Sequence, residues 1–412
     1  MESIEPKEKR LFKSLFRYLG PGFLVTVGFI DPGNWATNIA GGAEFGYDLL
    51  WVITLSTLIL IVIQNMAARL GIATGKSLAV NIKNHFSNPI SIIIGTTIVT
   101  ACGATDVAEL LGGAIGVKLL FGCPLWIGAL VIVVLEVFFI VTQRYHKLEK
   151  IILIFLATIS ICYIIEIFIV KPNFSTVAAA FIIPKINNKN IYIALGMLGA
   201  VVMPHNIFLH SNVIHSRKWG KTEEKKKSLT IFEKIDTSTA MLLGWAINSA
   251  MIIVAVSVFF KNGVIVNSLQ QASLTLTPLA GRLAGLLFAI ALLFAGISSS
   301  ITSSMAEVNV ITGFLGKPED PSTTLYKVAA FITAIPSFLI ILSGISTFKI
   351  LILSQVVLSL QLPFTLLPLL ILCRRKSVMG KLRSKTTEFV LAIVISVAII
   401  LLNIYLLYTT IW

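Results

Sequence analysis

Asp31-Pro32-Gly33-Asn34 and Met203-Pro204-His205-Asn206 place a carboxylate, amides, a thioether and an imidazole beside prolines, each inside a long apolar stretch. Proline withdraws a backbone donor and obstructs a helical hydrogen bond, so a helix running through either stretch is interrupted. At membrane depth such a break is tolerated only where it lines a cavity or is buried in protein. A carboxylate there is costly unless paired or solvated. The C-terminal end of a half-helix is electronegative, so Asp31 with the carbonyls freed beside it forms a cation site. Asp is also a good helix cap, and Asp-Pro a common helix start; capping and cation binding are compatible roles for one side chain. Asn34 adds an amide oxygen. Met203 discriminates between cations, because thioether sulfur gives little to Ca²⁺ or Mg²⁺ but ligates transition metals. A methionine in an apolar helix is ordinarily a core filler. This one immediately precedes Pro204, opposite the carboxylate break. One carboxylate, one amide, one thioether and backbone carbonyls suit Mn²⁺ or Fe²⁺.

Further titratable groups lie in the apolar runs. His205 is open to three readings: ligand, proton carrier or satisfied polar residue. His210 and His215 follow at five-residue intervals, which do not share one helix face. Asp106 and Glu109 are three residues apart and do share one; two carboxylates at membrane depth point to a proton relay. Arg217 is either a relay partner or a basic anchor at the membrane surface. Glu136 and Glu166 have no assigned role.

Membrane-crossing helices must position these groups. The chain is 56% hydrophobic and only 13% charged, too little charge to cover a soluble domain of this length. Residues 49–63, 126–141, 151–170, 283–293 and 389–407 are long and nearly free of charge, on the scale of the roughly 20 residues that span a bilayer. The alternation of a barrel wall is absent. The expected fold is an all-α membrane protein with eleven transmembrane helices. The first (19–44) and sixth (191–216) carry the breaks and each opens a set of five, as two inverted five-helix repeats predict. The expected organisation is a tail over 1–18, a first repeat over 19–170, an outer loop over 171–190, a second repeat over 191–372, a loop over 373–387 and an eleventh helix over 388–412.

The net charge of +14 sits in short segments between the apolar runs. Lys7, Lys9, Arg10, Lys13 and Arg17 fill the N-terminal tail. Arg217, Lys218, Lys221, Lys225, Lys226 and Lys227 follow the sixth helix, and Arg374, Arg375, Lys376, Lys381, Arg383 and Lys385 the tenth. The other side carries only Lys171, Lys185, Lys189, Lys261 and Lys349. By the positive-inside rule the N-terminus is cytoplasmic and the C-terminus outside, in the cell membrane. Residues 221–227 read as a solvated cytoplasmic loop. With no cleavage site before it, the first apolar stretch reads as a permanent helix. Cys102, Cys123, Cys162 and Cys373 are scattered and read as small core residues. Nothing resembles a nucleic-acid module, a His-Glu-x-x-His enzyme run or a repeated carbonyl filter. No soluble cofactor and no obligate protein partner is implied. A carrier of organic solutes would bind its substrate's carboxylate at such a break, and Asp31 would repel it.

At these residues the sequence resembles the Nramp (natural resistance-associated macrophage protein) family of metal-ion transporters, bacterial manganese transporters included. Asp31-Pro32-Gly33-Asn34 and Met203-Pro204-His205-Asn206 carry the resemblance, with Thr105-Asp106-Val107-Ala108-Glu109 and the stretch from Ser354-Gln355 to Pro363-Phe364 in support. It implies a LeuT-type fold and proton-coupled import of Mn²⁺ or Fe²⁺ as transported substrate. It further implies metal binding by Asp31, Asn34, Met203 and the Ala200 carbonyl, with Gly28 at the carbonyl position of the first helix and Gln355 joining in some states. Asp31 and His205 would meet entering protons, and Asp106, Glu109 and Arg217 would lead them to the cytoplasm. The eighth helix departs from the family: Ile297-Ser298-Ser299-Ser300 replaces a Gln-Ser-Ser-Thr run, and Ala306-Glu307-Val308 replaces Ala-Gly-Gln, adding a carboxylate. A branch that moves Mg²⁺ lacks the methionine, and Met203 argues against membership in it.

Overall fold

The computed structural model describes residues 20–142, 145–217, 222–344 and 347–411. The basic tail of residues 1–18, Lys218 and Lys221 lie outside the described residues. Thirteen helices carry the architecture: α1 (Pro21–Gly28), α2 (Pro32–Phe45), α3 (Leu50–Thr74), α4 (Asn88–Phe121), α5 (Leu125–Thr142), α6 (Tyr145–Val170), α7 (Ile191–Val201), α8 (Pro204–Val213), α9 (Glu223–Val258), α10 (Arg282–Leu315), α11 (Thr324–Leu342), α12 (Thr347–Arg374) and α13 (Thr386–Ile411). No strand occurs among the described residues.

Among the described residues, ten helical stretches are long and apolar enough to cross a membrane, Pro32–Thr74 counting as one of them. Gly46 breaks that stretch: its φ of 60° lies in the left-handed region that favours glycine, and it caps α2 before the chain turns into α3. Burial sorts the helices. The most apolar window of Ile191–Ser216 is 94% buried, against 22% for Thr386–Tyr405 and 28% for Leu125–Thr142. The interrupted element is therefore central, while α5 and α13 present Leu130, Val134, Phe138, Val390, Val394 and Leu401 outward. Small residues let the central helices approach closely. A methyl on Gly296 would strike the backbone of Gly113, and one on Gly116 would meet the backbone of Leu293 at 2.7 Å, so α4 and α10 touch main chain to main chain.

The structure differs from the sequence reading in the connections. The expected loop over 221–227 is helical from Glu223, and Lys225, Lys226 and Lys227 lie in the first turns of α9. Glu223 and Glu224 stand in the first turn, where acidic side chains complement the helix dipole. Short helices Leu78–His85, Phe174–Ala180 and Leu269–Ala280 occupy segments read as loops.

The link from α10 to α11 is tied down by Glu319. Its Oε1 accepts from Ser77 Oγ at 2.5 Å and its Oε2 from Asn212 Nδ2 at 2.7 Å. Burial pushes the Glu319 carboxyl above its ordinary value despite these two hydrogen bonds. A raised acid contributes docking stability that is complete at low pH and is lost as pH rises through the raised value. Hydrogen-exchange protection of residues 316–323, corrected for intrinsic exchange, is therefore expected to fall with rising pH in the wild type. Glu319→Gln should flatten that dependence. The same pH dependence in both proteins would refute the assignment.

Candidate metal-ion site

Both helix breaks follow one rule. Pro32 lies four residues after Gly28, and Pro204 four residues after Ala200. A helical carbonyl takes its hydrogen bond from the N–H four residues on, and proline has none. The carbonyls of Gly28 and Ala200 are thereby released at the ends of α1 and α7. After α1 the chain closes with Phe29 N–H on Thr26 O and Ile30 N–H on Val27 O, both at 3.1 Å. Asp31 then turns extended and caps α2, its carboxylate accepting from Gly33 N–H at 3.1 Å and Asn34 N–H at 3.0 Å. After α7, Met203 leaves the helical region with ψ 117° and α8 begins at Pro204.

The two breaks face one another. Asn34 Nδ2 donates both to Asp31 Oδ1 at 2.5 Å and to the released carbonyl of Ala200 at 2.8 Å. Gln355, on α12, donates from Nε2 to Asp31 Oδ2 at 3.2 Å. A methyl on Gly33 would strike the Gln355 amide, and one on Gly199 would strike the Gln355 backbone, so both glycines are needed for α12 to reach the break. Asn206 Nδ2 lies 3.4 Å from Met203 Sδ and packs against Gly28, where any side chain would collide with it. Asp31, Asn34, Ala200, Met203 and Gln355 are all fully buried. Asn34 Oδ1, Gln355 Oε1 and Asn206 Oδ1 are buried with no hydrogen-bond partner among the described residues. Unpaired buried amide oxygens are expensive, and here three cluster on the two breaks and the helix that meets them. No group of three or more His, Cys, Asp and Glu converges as metal ligands among the described residues. The groups that could meet a cation at the two breaks are instead one carboxylate, neutral amides, one thioether and two carbonyls.

His205 stands in the first turn of α8, fully buried, with neither ring nitrogen hydrogen-bonded among the described residues. Asp106 accepts a hydrogen bond from Ser303 of α10. Glu109, also buried, makes no hydrogen bond among the described residues. Arg217 is elsewhere: it pairs with Glu149 at the start of α6, with His146 at 3.4 Å, beside Gly20. No described hydrogen bond joins Arg217 to Asp106 or Glu109. Glu136 accepts from Ser300. Glu166 is buried with both oxygens unpartnered among the described residues.

Several polar residues that the sequence reading passed over support the site. The carbonyls freed at Ile30 and Phe29 are taken by Trp35 Nε1 at 3.0 Å and Asn248 Nδ2 at 2.9 Å, and Asn38 donates to Asn248 Oδ1 at 2.7 Å. Asn248, a lone amide in the apolar run of α9, was a legible signal. Asp236 accepts from the N–H groups of Gly20 and Gly22 at 2.7–3.1 Å and ties the start of α1 to α9. His210 bridges Gln64 Oε1 at 2.9 Å and Glu233 Oε1 at 2.8 Å in full burial. These last contacts join residues remote in sequence, and no local spacing announces them.

Comparison with known proteins finds relatives along nearly the whole chain. Residues 22–409 match the family model "Natural resistance-associated macrophage protein-like". A protein named divalent metal cation transporter MntH from Caldanaerobacter subterraneus subsp. tengcongensis is 40% identical over 97% of this chain and 94% of its own length. One of the same name from Nostoc sp. is 39% identical over 99% and 94%. Among solved structures, an Eremococcus coleocola manganese transporter variant superposes with a TM-score of 0.86 at 30% identity, over 97% of this chain and 87% of that one. Mhp1, a nucleobase-cation-symport-1 family transporter, shares the fold at a TM-score of 0.63 and 15% identity over 90% of this chain and 81% of that one.

Proposed function

The chain belongs to the Nramp (natural resistance-associated macrophage protein-like) family, a family of transporters, and we propose that it imports divalent transition-metal ions, Mn²⁺ and Fe²⁺, together with protons by alternating access. The observation that carries this reading is the bridge from Asp31 through Asn34 to the Ala200 carbonyl. It brings the carboxylate of one helix break to the released carbonyl of the other, next to Met203. In this arrangement the two N–H groups of Asn34 hold two oxygen acceptors together. A half-turn of that amide presents Oδ1 in their place, so that a cation is met by Asp31, Asn34 and the Ala200 carbonyl. Met203 supplies the soft donor, the Gly28 carbonyl released at the end of α1 adds an oxygen, and Gln355 offers its unpaired Oε1. The thioether favours Mn²⁺ and Fe²⁺ over the hard ions Mg²⁺ and Ca²⁺. The carboxylate disfavours an anionic organic solute.

Joining α1 to α2 and α7 to α8 as two broken spans gives eleven crossings. They form two five-helix repeats of the LeuT type plus α13, with the broken pair opening each repeat. The basic segments place the N-terminus in the cytoplasm and the C-terminus outside. His205, beside the metal ligands, receives entering protons. Asp106 and Glu109 pass them on, and Arg217 stands at the cytoplasmic end of that route. Protons and metal ions are the substrates.

The test is Mn²⁺ uptake into proteoliposomes with and without an inward proton gradient, in excess Ca²⁺ or Mg²⁺. Uptake that ignores the hard ions and is accelerated by the gradient is expected. Uptake readily displaced by Mg²⁺ would overturn the metal assignment, and uptake indifferent to the gradient would overturn the coupling.

A further inference from the structure

Glu307 lies on α10, which packs along α4. Ser300, Ser303 and Glu307 repeat at helical spacing. Ser300 donates to Glu136 of α5 and Ser303 donates to Asp106 of α4. Glu307 reaches the same Asp106, the two carboxyls lying within hydrogen-bond range of each other. Both side chains are buried, at 4% and 7% exposure, and Glu307 Oε2 has no hydrogen-bond partner among the described residues. The groups acting on this pair are Ser303, Cys102, Glu109, Glu136 and one another; no Lys, Arg or His is among them. The charged residues of α11 and α12, Lys327, Lys349 and Arg374, are exposed or half-buried towards their helix ends. A groove of about 650 Å³ runs between α4 and α10, lined by Thr96, Val99, Thr100, Ile311 and Phe314, with Lys83 also on its wall. Those residues continue the faces that carry Asp106 and Glu307, and Gly103, between groove and pair, has open space before it.

Two carboxylates in contact, away from water and without a cation, do not both ionise; one keeps a proton that the other accepts. We propose that Asp106 and Glu307 hold one proton between them and act as a single proton-carrying unit, with Glu307 a proton-transfer residue. The unit gains a proton to become neutral and loses it to water in the groove to return to the singly charged pair, with no other bond changed. The role in transport rests on the proton-coupled reading above; the shared proton does not, and the experiment separates them.

Infrared spectroscopy of the purified protein in lipid at neutral pH would count protonated carboxyl C=O bands in wild type, Glu307→Gln, Asp106→Asn and the double variant. Glutamine at 307 donates to Asp106 and lets it ionise, so each single variant should lose one band and the double variant no more than one. Loss of two bands in the double variant, or of none in any, would overturn the shared proton. In proteoliposomes, Glu307→Gln should keep Mn²⁺ binding while Mn²⁺-driven proton movement falls about tenfold or more. Unchanged proton movement with the band lost would leave the shared proton standing and overturn its role as a carrier.

Discussion

Asp31→Asn is expected to cut the initial rate of Mn²⁺ uptake at least a hundredfold while the protein remains folded. The asparagine keeps an oxygen for the N–H groups of Gly33 and Asn34, so α2 stays capped. It removes the one carboxylate at the two facing breaks. Removing one member of a buried charge pair costs roughly 3–5 kcal/mol, which corresponds to a hundredfold or more in occupancy. Asp31→Ala gives a companion measurement, since it loses the cap as well, at about 1 kcal/mol. If Asp31→Asn transported normally and Asp31→Ala failed, the carboxylate would be a cap and nothing more. Binding of Mn²⁺ by calorimetry on the purified variants distinguishes a lost site from lost conformational cycling.

Met203→Leu should leave Mn²⁺ uptake measurable and erode its selectivity. Leucine conserves most of the volume of this fully buried side chain, whereas alanine opens a cavity at a cost of about 2–5 kcal/mol. What leucine removes is the sulfur. With only oxygen donors left, the site no longer prefers transition metals to hard ions of the same charge. The ratio of Mn²⁺ to Ca²⁺ affinity is expected to fall about tenfold, or ~1.4 kcal/mol. Competition curves for Ca²⁺ and Mg²⁺ against Mn²⁺ uptake measure it directly. A variant that excludes Ca²⁺ as well as the wild type does would assign selectivity to the oxygen cage and make Met203 a packing residue held by Asn206.

The breaks were legible because proline acts locally. Pro32 and Pro204 interrupt a helix wherever the helix runs, whereas the carbonyls of Gly28 and Ala200 entered the sequence reading only through the family resemblance. The carboxylate and thioether beside them were equally plain, since a polar or ligating side chain in an apolar run has few other reasons to be there. The basic run at 225–227 shows the limit of composition. Charge located it near a membrane surface, but the first turns of α9 and not a loop contain it, because acidic residues just ahead favour helix.

Contacts between distant helices stayed hidden. Asn34 on Ala200, Gln355 on Asp31, Asn248 on the carbonyl of Phe29 and Arg217 on Glu149 join residues far apart in the chain. The Gln355 contact depends on glycines at 33 and 199 leaving room for α12, and Asn206 packs where Gly28 has no side chain. The sequence by itself determined the membrane class, the two breaks and the chemistry of their donors, because hydropathy and proline act within a few residues. Only the tertiary structure decided that the breaks face each other, that Arg217 pairs with α6, and that Glu307 meets Asp106, because those outcomes follow from helix packing, which no local pattern encodes.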